Sequence, residues 1–198
     1  KNTDAQAPNM PNVRRRIAQI AEDIARIHRA KARGLDETIF RAREQNNSAG
    51  VDRLTKQRSE LEEEEVRWRL AAIQQYRNIT RDFPDISDHD ELLFRQGFLL
   101  EEIANGLRLA REIREQQSPS KNESRLREEA RRAFQSLIRN HPSSRFVPHA
   151  YLSFAEYYFQ EGDMDAAVRL YTQVIDDPNA DVRGYALYKR AWCHINLG

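Results

Sequence analysis

The sequence predicts an all-α protein that contains helical repeats. The chain has 198 residues but only seven glycines and seven prolines, so residues that break helices are scarce. A frame of alanine, an aromatic residue four positions later, an aliphatic residue three further on and a closing proline recurs along the chain. Its copies are Ala72-Tyr76-Ile79-Pro84, Ala130-Phe134-Leu137-Pro142 and, one residue shorter, Ala167-Tyr171-Val174-Pro178. This spacing gives one apolar helix face that stops at a proline, and its recurrence indicates a repeat protein.

Residues 12–83 are predicted to form an antiparallel helical hairpin. The polar segment Lys1–Pro11 before it is expected to be disordered and to be a processed or otherwise cut terminus. The first helix carries a coiled-coil seam, expected either to oligomerise or to pack within the hairpin: Val13, Ile17, Ile20, Ile24 and Ile27. Gly34 is expected to interrupt this helix. Residues 45–50 predict the turn, and residues 51–83 one long second helix.

The rest of the chain is predicted to be helix and turn. A helix after Pro84 carries Leu93, Gly97 and Leu100 on one face, and a separate piece follows at Leu107–Glu115. A loop at Gln116–Glu123 precedes a helix that begins at Ser124 and ends at Pro142. Three more helices are expected at 148–161, 164–176 and about 183–197, with a turn at Gly162.

These repeats resemble the tetratricopeptide repeat family, in which about 34 residues form a helix–turn–helix unit. The strongest resemblance lies in Tyr151, Phe154, Ala155, Tyr158, Gly162, Ala167, Tyr171, Val174 and Pro178. It implies a right-handed superhelix over residues 66–198, with an insertion near 105–123, preceded by a hairpin arm at 12–65 and the disordered segment 1–11. Gly198 falls where Gly162 does, so the last repeat is expected to be truncated and the full protein to continue.

Two stretches also resemble tetratricopeptide repeat proteins of the bacterial cell envelope, including outer-membrane assembly lipoproteins and Tol-associated periplasmic factors. They are residues 137–158 and residues 186–198. This resemblance implies a periplasmic or cell-envelope protein that acts as a non-catalytic scaffold.

The resemblance also implies a groove lined by the first helix of each repeat. The inward-facing positions are Phe94, Phe98, Glu101, Leu152, Glu156, Phe159, Tyr188, Trp192 and Ile195. Three explanations remain open for these side chains: they bind a partner, they are covered by the protein's own N-terminal helix or a second copy, or they pack in the core. The positions are mostly apolar or acidic, so a helix or extended apolar peptide is favoured over a terminal carboxylate as the ligand.

No pattern in the sequence indicates catalysis, a cofactor or a metal. The five histidines lack metal-ligand spacing, and the single cysteine, Cys193, lies in an apolar run typical of a buried thiol. The formal net charge is +1, and the short run Arg14–Arg16 is followed by Glu22 and Asp23, so no nucleic-acid partner is expected. No apolar stretch approaches the 18 or so residues of a membrane span.

Overall fold

The computed structural model describes residues 9–116 and 118–198, which contain seven α-helices and no strand. The helices are α1 (Met10–Glu44), α2 (Ser48–Asp82), α3 (His89–Ile113), α4 (Lys121–Asn140), α5 (Val147–Gln160), α6 (Met164–Ile175) and α7 (Arg183–Leu197). The all-α prediction is therefore confirmed. Residues 1–8 of the predicted disordered segment and residue 117 of the predicted insertion lie outside the described residues.

The helices group into two compact units. The first unit comprises Lys1–Ser87 with Leu99–Pro119, and the second comprises Asp88–Phe98 with Ser120–Gly198. Helix α3 thus contributes its first ten residues to the second unit and the remainder to the first. The domain boundaries inferred above from the repeats stay a prediction.

In the first unit, α1 and α2 form the expected antiparallel hairpin. The side chain of Asn47 caps α2 by accepting a hydrogen bond from the backbone N–H of Gly50 at 2.9 Å. Arg14 Nη1 lies 2.5 Å from Asp82 Oδ2 at the open end, and Arg58 Nη1 lies 3.0 Å from Asp36 Oδ1 nearer the turn. These two pairs join α1 to α2 at two points along the antiparallel hairpin.

The buried face of α1 is made mostly of alanine. Its members are Ala18, Ala21, Ala25, Ala32, Ile39 and Ala42, separated by three, four or seven residues. The predicted seam lies one residue away, and Val13, Ile17, Ile20 and Ile27 remain 45–52% exposed. The prediction that this seam packs within the hairpin is therefore wrong. The physical reason is that alanine lets two helix axes approach more closely than isoleucine does, so α2 packs on the alanine face.

Two predicted helix breaks are also absent. Gly34 lies inside the continuous α1, and Leu107 lies inside the continuous α3 rather than in a separate helix. A glycine costs an exposed helix only about 1 kcal/mol, which tertiary packing of a long amphipathic helix easily offsets. Helix α4 begins at Lys121, earlier than predicted, because the Ser120 hydroxyl caps it and accepts from the Glu123 N–H at 3.1 Å.

In the second unit, α4 packs on α5, α5 on α6, and α6 on α7. The turn between α5 and α6 is the predicted one: Gly162 has a φ of +81°, a backbone conformation that favours glycine. Asp163 then caps α6 by accepting from the N–H of Ala166 at 2.9 Å. The core between these helices contains Ala155, Ala167, Tyr171, Val174, Ile175, Ala186 and Cys193.

Candidate protein-binding surface of the repeat helices

A hydrogen bond between Tyr171 of α6 and Glu156 of α5 lies in the interface between these two helices. The ring of Tyr171 is fully buried, and its hydroxyl donates a hydrogen bond of 2.5 Å to Glu156 Oε1. Burial, followed by the hydrogen bond and charge of Glu156, raises the pKa of Tyr171. The phenol therefore stays protonated and acts as a fixed donor to the carboxylate.

Helix α7 closes the same cluster from the other side. Lys189 Nζ lies 3.3 Å from Glu156 Oε2 and 3.7 Å from the centroid of the Phe159 ring. The ammonium group thus combines an ion pair with a cation–π contact. Burial and then the charge of Glu156 raise the pKa of Tyr185 as well. Glu156 and Phe159 are consequently engaged by α6 and α7.

The remaining predicted positions on α7 form an exposed aromatic and aliphatic row. Tyr188 is 59% exposed, Trp192 44% and Ile195 68%. The rings of Tyr188 and Trp192 pack edge to face, with centroids 6.3 Å apart. At spacings of four and three residues, the three side chains share one face of the helix.

The first part of α3 presents one partly buried and one exposed phenylalanine. The Phe94 ring stacks on Phe146 with a centroid distance of 4.7 Å, and Phe134 and His149 also contact it. Phe98 is 48% exposed. Phe94 is therefore part of the packing of this unit, whereas Phe98 is accessible.

Eight of the nine predicted groove residues lie in the second unit, and Glu101 lies in the first. Leu152 is partly buried against the α5–α7 core. Four of the nine are at least 44% exposed: Phe98, Tyr188, Trp192 and Ile195. Sequence reasoning missed Lys189 as the group that covers Phe159, because the contact joins residues 30 positions apart and has no local pattern. The assignment of the nine positions to a partner stays a prediction.

Residues 91–144 match the family described as tetratricopeptide repeat. The match supports the tetratricopeptide repeat family. It contains the apolar face with Leu93, Gly97 and Leu100 and the second copy of the recurring frame, which ends at Pro142. It does not include residues 151–178, where the resemblance is most complete. No curated protein and no solved structure matches the chain.

Within residues 9–116 and 118–198, no cluster of three or more His, Cys, Asp and Glu side chains could hold a metal ion. His89 Nδ1 and His141 Nε2 form a pair 2.9 Å apart. Cys193 is fully buried, and burial raises its thiol pKa more than the charge of Lys189 lowers it. None of the described helices has the length and apolarity to cross a membrane.

Proposed function

We propose that this protein is a non-catalytic scaffold that holds other proteins through its repeat helices. The family match at residues 91–144 supports this proposal, because tetratricopeptide repeat proteins are generally adaptors. The observation that carries it is the exposed row Tyr188, Trp192 and Ile195 on α7, together with Phe98 on α3. Exposed aromatic residues on one face are the usual anchors of protein interfaces.

The ligand of this surface is proposed to be an apolar helix or an extended apolar segment of a partner protein. Lys189 of α7 is already paired with Glu156 and lies over the ring of Phe159. It therefore offers little to a terminal carboxylate. A row of anchors spaced by four and three residues suits the apolar face of a partner helix.

The setting is proposed to be a complex of the bacterial cell envelope, in the periplasm. Support comes from the resemblance of residues 137–158 and 186–198 to envelope tetratricopeptide repeat proteins. A periplasmic location predicts that the protein is recovered with the envelope fraction of its native cell. Recovery only with the cytoplasmic fraction would overturn the location and leave the scaffold proposal standing.

Photocrosslinking tests the surface directly. A photoreactive amino acid at Tyr188 is expected to link the protein to one abundant partner in native cells. Trp192→Ala is expected to reduce that link at least tenfold, since an aromatic hot spot contributes about 2 kcal/mol or more. Phe40→Ala is the matched control, because Phe40 is an exposed aromatic residue (60%) on α1.

The outcome separates binding from folding. If Trp192→Ala keeps its helicity and melting temperature while the crosslink is lost, the surface binds a partner. If the crosslink persists in Trp192→Ala, or is lost equally in Phe40→Ala, the α7 row does not carry the binding.

A second candidate function is that of a structural oligomer assembled through the N-terminal helices. The specific observation that favours it is the exposure of the aliphatic seam on α1, which the hairpin leaves uncovered. The two functions are compatible, because the seam lies in the first unit and the α7 row in the second. Light scattering on the whole chain checks it: a monomer across the micromolar range contradicts it.

A further inference from the structure

We propose that the exposed seam of α1 binds the same seam of a second copy of this chain in antiparallel orientation, forming a two-fold symmetric dimer. The inference rests on the self-association proposed above and specifies its partner, direction and register. It is independent of the α7 row, so failure of partner binding there does not affect it.

The seam extends to the first residue of α1, because Met10 lies three positions before Val13. It consists of Met10, Val13, Ile17, Ile20, Ile24 and Ile27, spaced 3, 4, 3, 4 and 3. Four of these side chains are 45–52% exposed, and Met10 and Ile24 are half-buried. Lys31 and Gly34 occupy the next two positions, so the apolar stripe ends after Ile27. Its length is about 26 Å at 1.5 Å per residue.

The seam lies beside the face of α1 that packs on α2. Ile17, Ile20 and Ile24 each come directly before a residue of the buried face, namely Ala18, Ala21 and Ala25. One residue corresponds to about 100° around a helix, so the two faces point in clearly different directions. A heptad stripe of this kind is the surface with which helices form coiled coils, and α2 leaves it open.

The spacing is self-complementary in the antiparallel direction. Because 3-4-3-4-3 reads the same both ways, all six positions can pair in one register. The pairs are Met10 with Ile27, Val13 with Ile24 and Ile17 with Ile20 of the second copy, each formed twice. This reciprocity is what a two-fold interface requires.

The flanking charges select the same direction. Arg16 and Asp23 are exposed and hold equivalent flanking positions in successive heptads. In the antiparallel register, Arg16 lies within about two residues, or 3 Å along the axis, of Asp23 in the second copy. In a parallel pair, Arg16 would lie about 10 Å along the axis from Asp23 of the other chain and on the opposite side of the seam, so the two charges would not meet. Flanking charges of this kind set orientation in coiled coils, and opposed helix dipoles favour the same choice.

Oligomeric state is the first readout. Light scattering on the whole chain is expected to give twice the monomer mass at tens of micromolar. The double variant Ile17→Lys/Ile20→Lys is expected to be monomeric with unchanged helicity, since both side chains are about half exposed in the hairpin. Phe40→Lys, on α1 outside the seam, is the matched control and should remain dimeric. A monomeric wild-type chain overturns both the self-association and this inference.

Thiol crosslinking then tests the direction. The wild-type chain is the blank, because its single cysteine, Cys193, is fully buried. A mixture of Met10→Cys and Ile27→Cys chains should crosslink with a short bifunctional thiol reagent, whereas Ile27→Cys alone should not. In the antiparallel dimer the two Ile27 positions are about 26 Å apart. Efficient crosslinking of Ile27→Cys with itself would show a parallel pair and overturn the register while leaving self-association in place.

Charge exchange provides an independent check. Arg16→Asp and Asp23→Arg are each expected to weaken the dimer, because each places like charges opposite one another. The chain that carries both changes should recover most of the wild-type affinity. Absence of recovery in the double variant would contradict the antiparallel pairing.

Discussion

The hydroxyl of Tyr171 on α6 donates a hydrogen bond of 2.5 Å to the carboxylate of Glu156 on α5. This contact places a fixed polar interaction inside an otherwise apolar helix–helix interface, and Lys189 of α7 pairs with the same carboxylate. One acidic side chain therefore links three consecutive helices of the second unit. A hydrogen bond to a charged group is among the stronger contacts that a folded protein makes.

Tyr171→Phe should lower the free energy of unfolding by about 1.5–3 kcal/mol, because it removes a hydrogen bond to a carboxylate without changing the ring. Urea unfolding at pH 7 measures this loss. Tyr188→Phe is the matched control: Tyr188 is 59% exposed, so loss of its hydroxyl should change the free energy of unfolding little. Equal effects of Tyr171→Phe and Tyr188→Phe would contradict the role of the contact.

The same contact predicts a loss of stability at high pH. Because the pKa of Tyr171 is raised in the folded state, its contribution is fully present below the unfolded-state value of about 10 and is lost as pH rises above it. The stability difference between wild type and Tyr171→Phe should thus shrink between about pH 10 and 11.5. Denaturant unfolding across this range checks the prediction, and a constant difference would contradict it.

Two helical glycines should respond to alanine in opposite ways. A Cβ atom at Gly97 would lie 2.5 Å from Phe134 Cε1, and the buried Phe134 ring is enclosed by Phe94 and Phe154. Gly97→Ala should therefore destabilise by about 1–2 kcal/mol, since overpacking outweighs the gain in helix propensity. A Cβ atom at Gly34 meets nothing within 4 Å, so Gly34→Ala should stabilise by about 0.5–1 kcal/mol.

Thermal unfolding of the two variants is the measurement. A rise in melting temperature for both would show that the Phe134 ring can move, and a fall for both would show that Gly34 has a role beyond helix propensity. The contrast is informative because both positions lie inside helices, so their difference isolates tertiary packing from local preference.

The repeat region could be read from the sequence far more completely than the hairpin packing. The helix that contains Ala167 and Tyr171 was placed within one residue of its observed end, because the turn at Gly162 and the proline at 178 bound it on either side. The packing face of α1 could not be assigned, since Ile17 and Ala18 belong to two adjacent stripes that both follow the helical spacing. Isoleucine dominates any hydrophobicity pattern, but the alanine stripe allows the closer approach of α2.

The candidate surface was likewise readable only in part. The resemblance to tetratricopeptide repeats put Trp192 and Ile195 among the inward-facing positions, and both are exposed. The resemblance could not show that Lys189 covers Phe159, because that contact joins side chains of two different helices. Long-range pairs of this kind leave no trace in local spacing.

At the open end of the hairpin, the carboxyl of Asp82 should titrate unusually low. Hydrogen bonds from Arg81 and then Arg14 lower its pKa from 3.8 to about 2. NMR titration of the side-chain carboxyl measures this directly. Arg14→Gln should raise the value part of the way towards 3.8, because the contact with Arg81 remains. An unchanged pKa in Arg14→Gln would show that Arg14 does not hold the two helix ends together.

Glu102 should contribute to the stability of the first unit in a pH-dependent way. Its carboxylate accepts hydrogen bonds from Arg29 Nη1 at 2.6 Å and Arg69 Nη2 at 3.1 Å, so it joins α3 to both hairpin helices. Burial opposes its ionisation, but the Arg29 hydrogen bond and the charges of Arg69 and Arg29 outweigh that cost and lower its pKa below 4.5. Arg69 is itself buried and keeps Glu65 at 2.8 Å as its other partner.

Glu102→Gln should therefore lower the free energy of unfolding by about 1–2 kcal/mol at pH 7. The effect is no larger because the carboxylate is partly exposed to solvent. Because the folded-state pKa is lowered, the contribution is present above about pH 4.5 and is lost as pH falls through the lowered value. The difference between wild type and Glu102→Gln should thus decline below pH 4.5. Urea unfolding at pH 7, 5, 4 and 3.5 tests this, with the exposed Glu37→Gln as control. A difference that is already absent at pH 7 would show that α3 is held to the hairpin by apolar contacts alone.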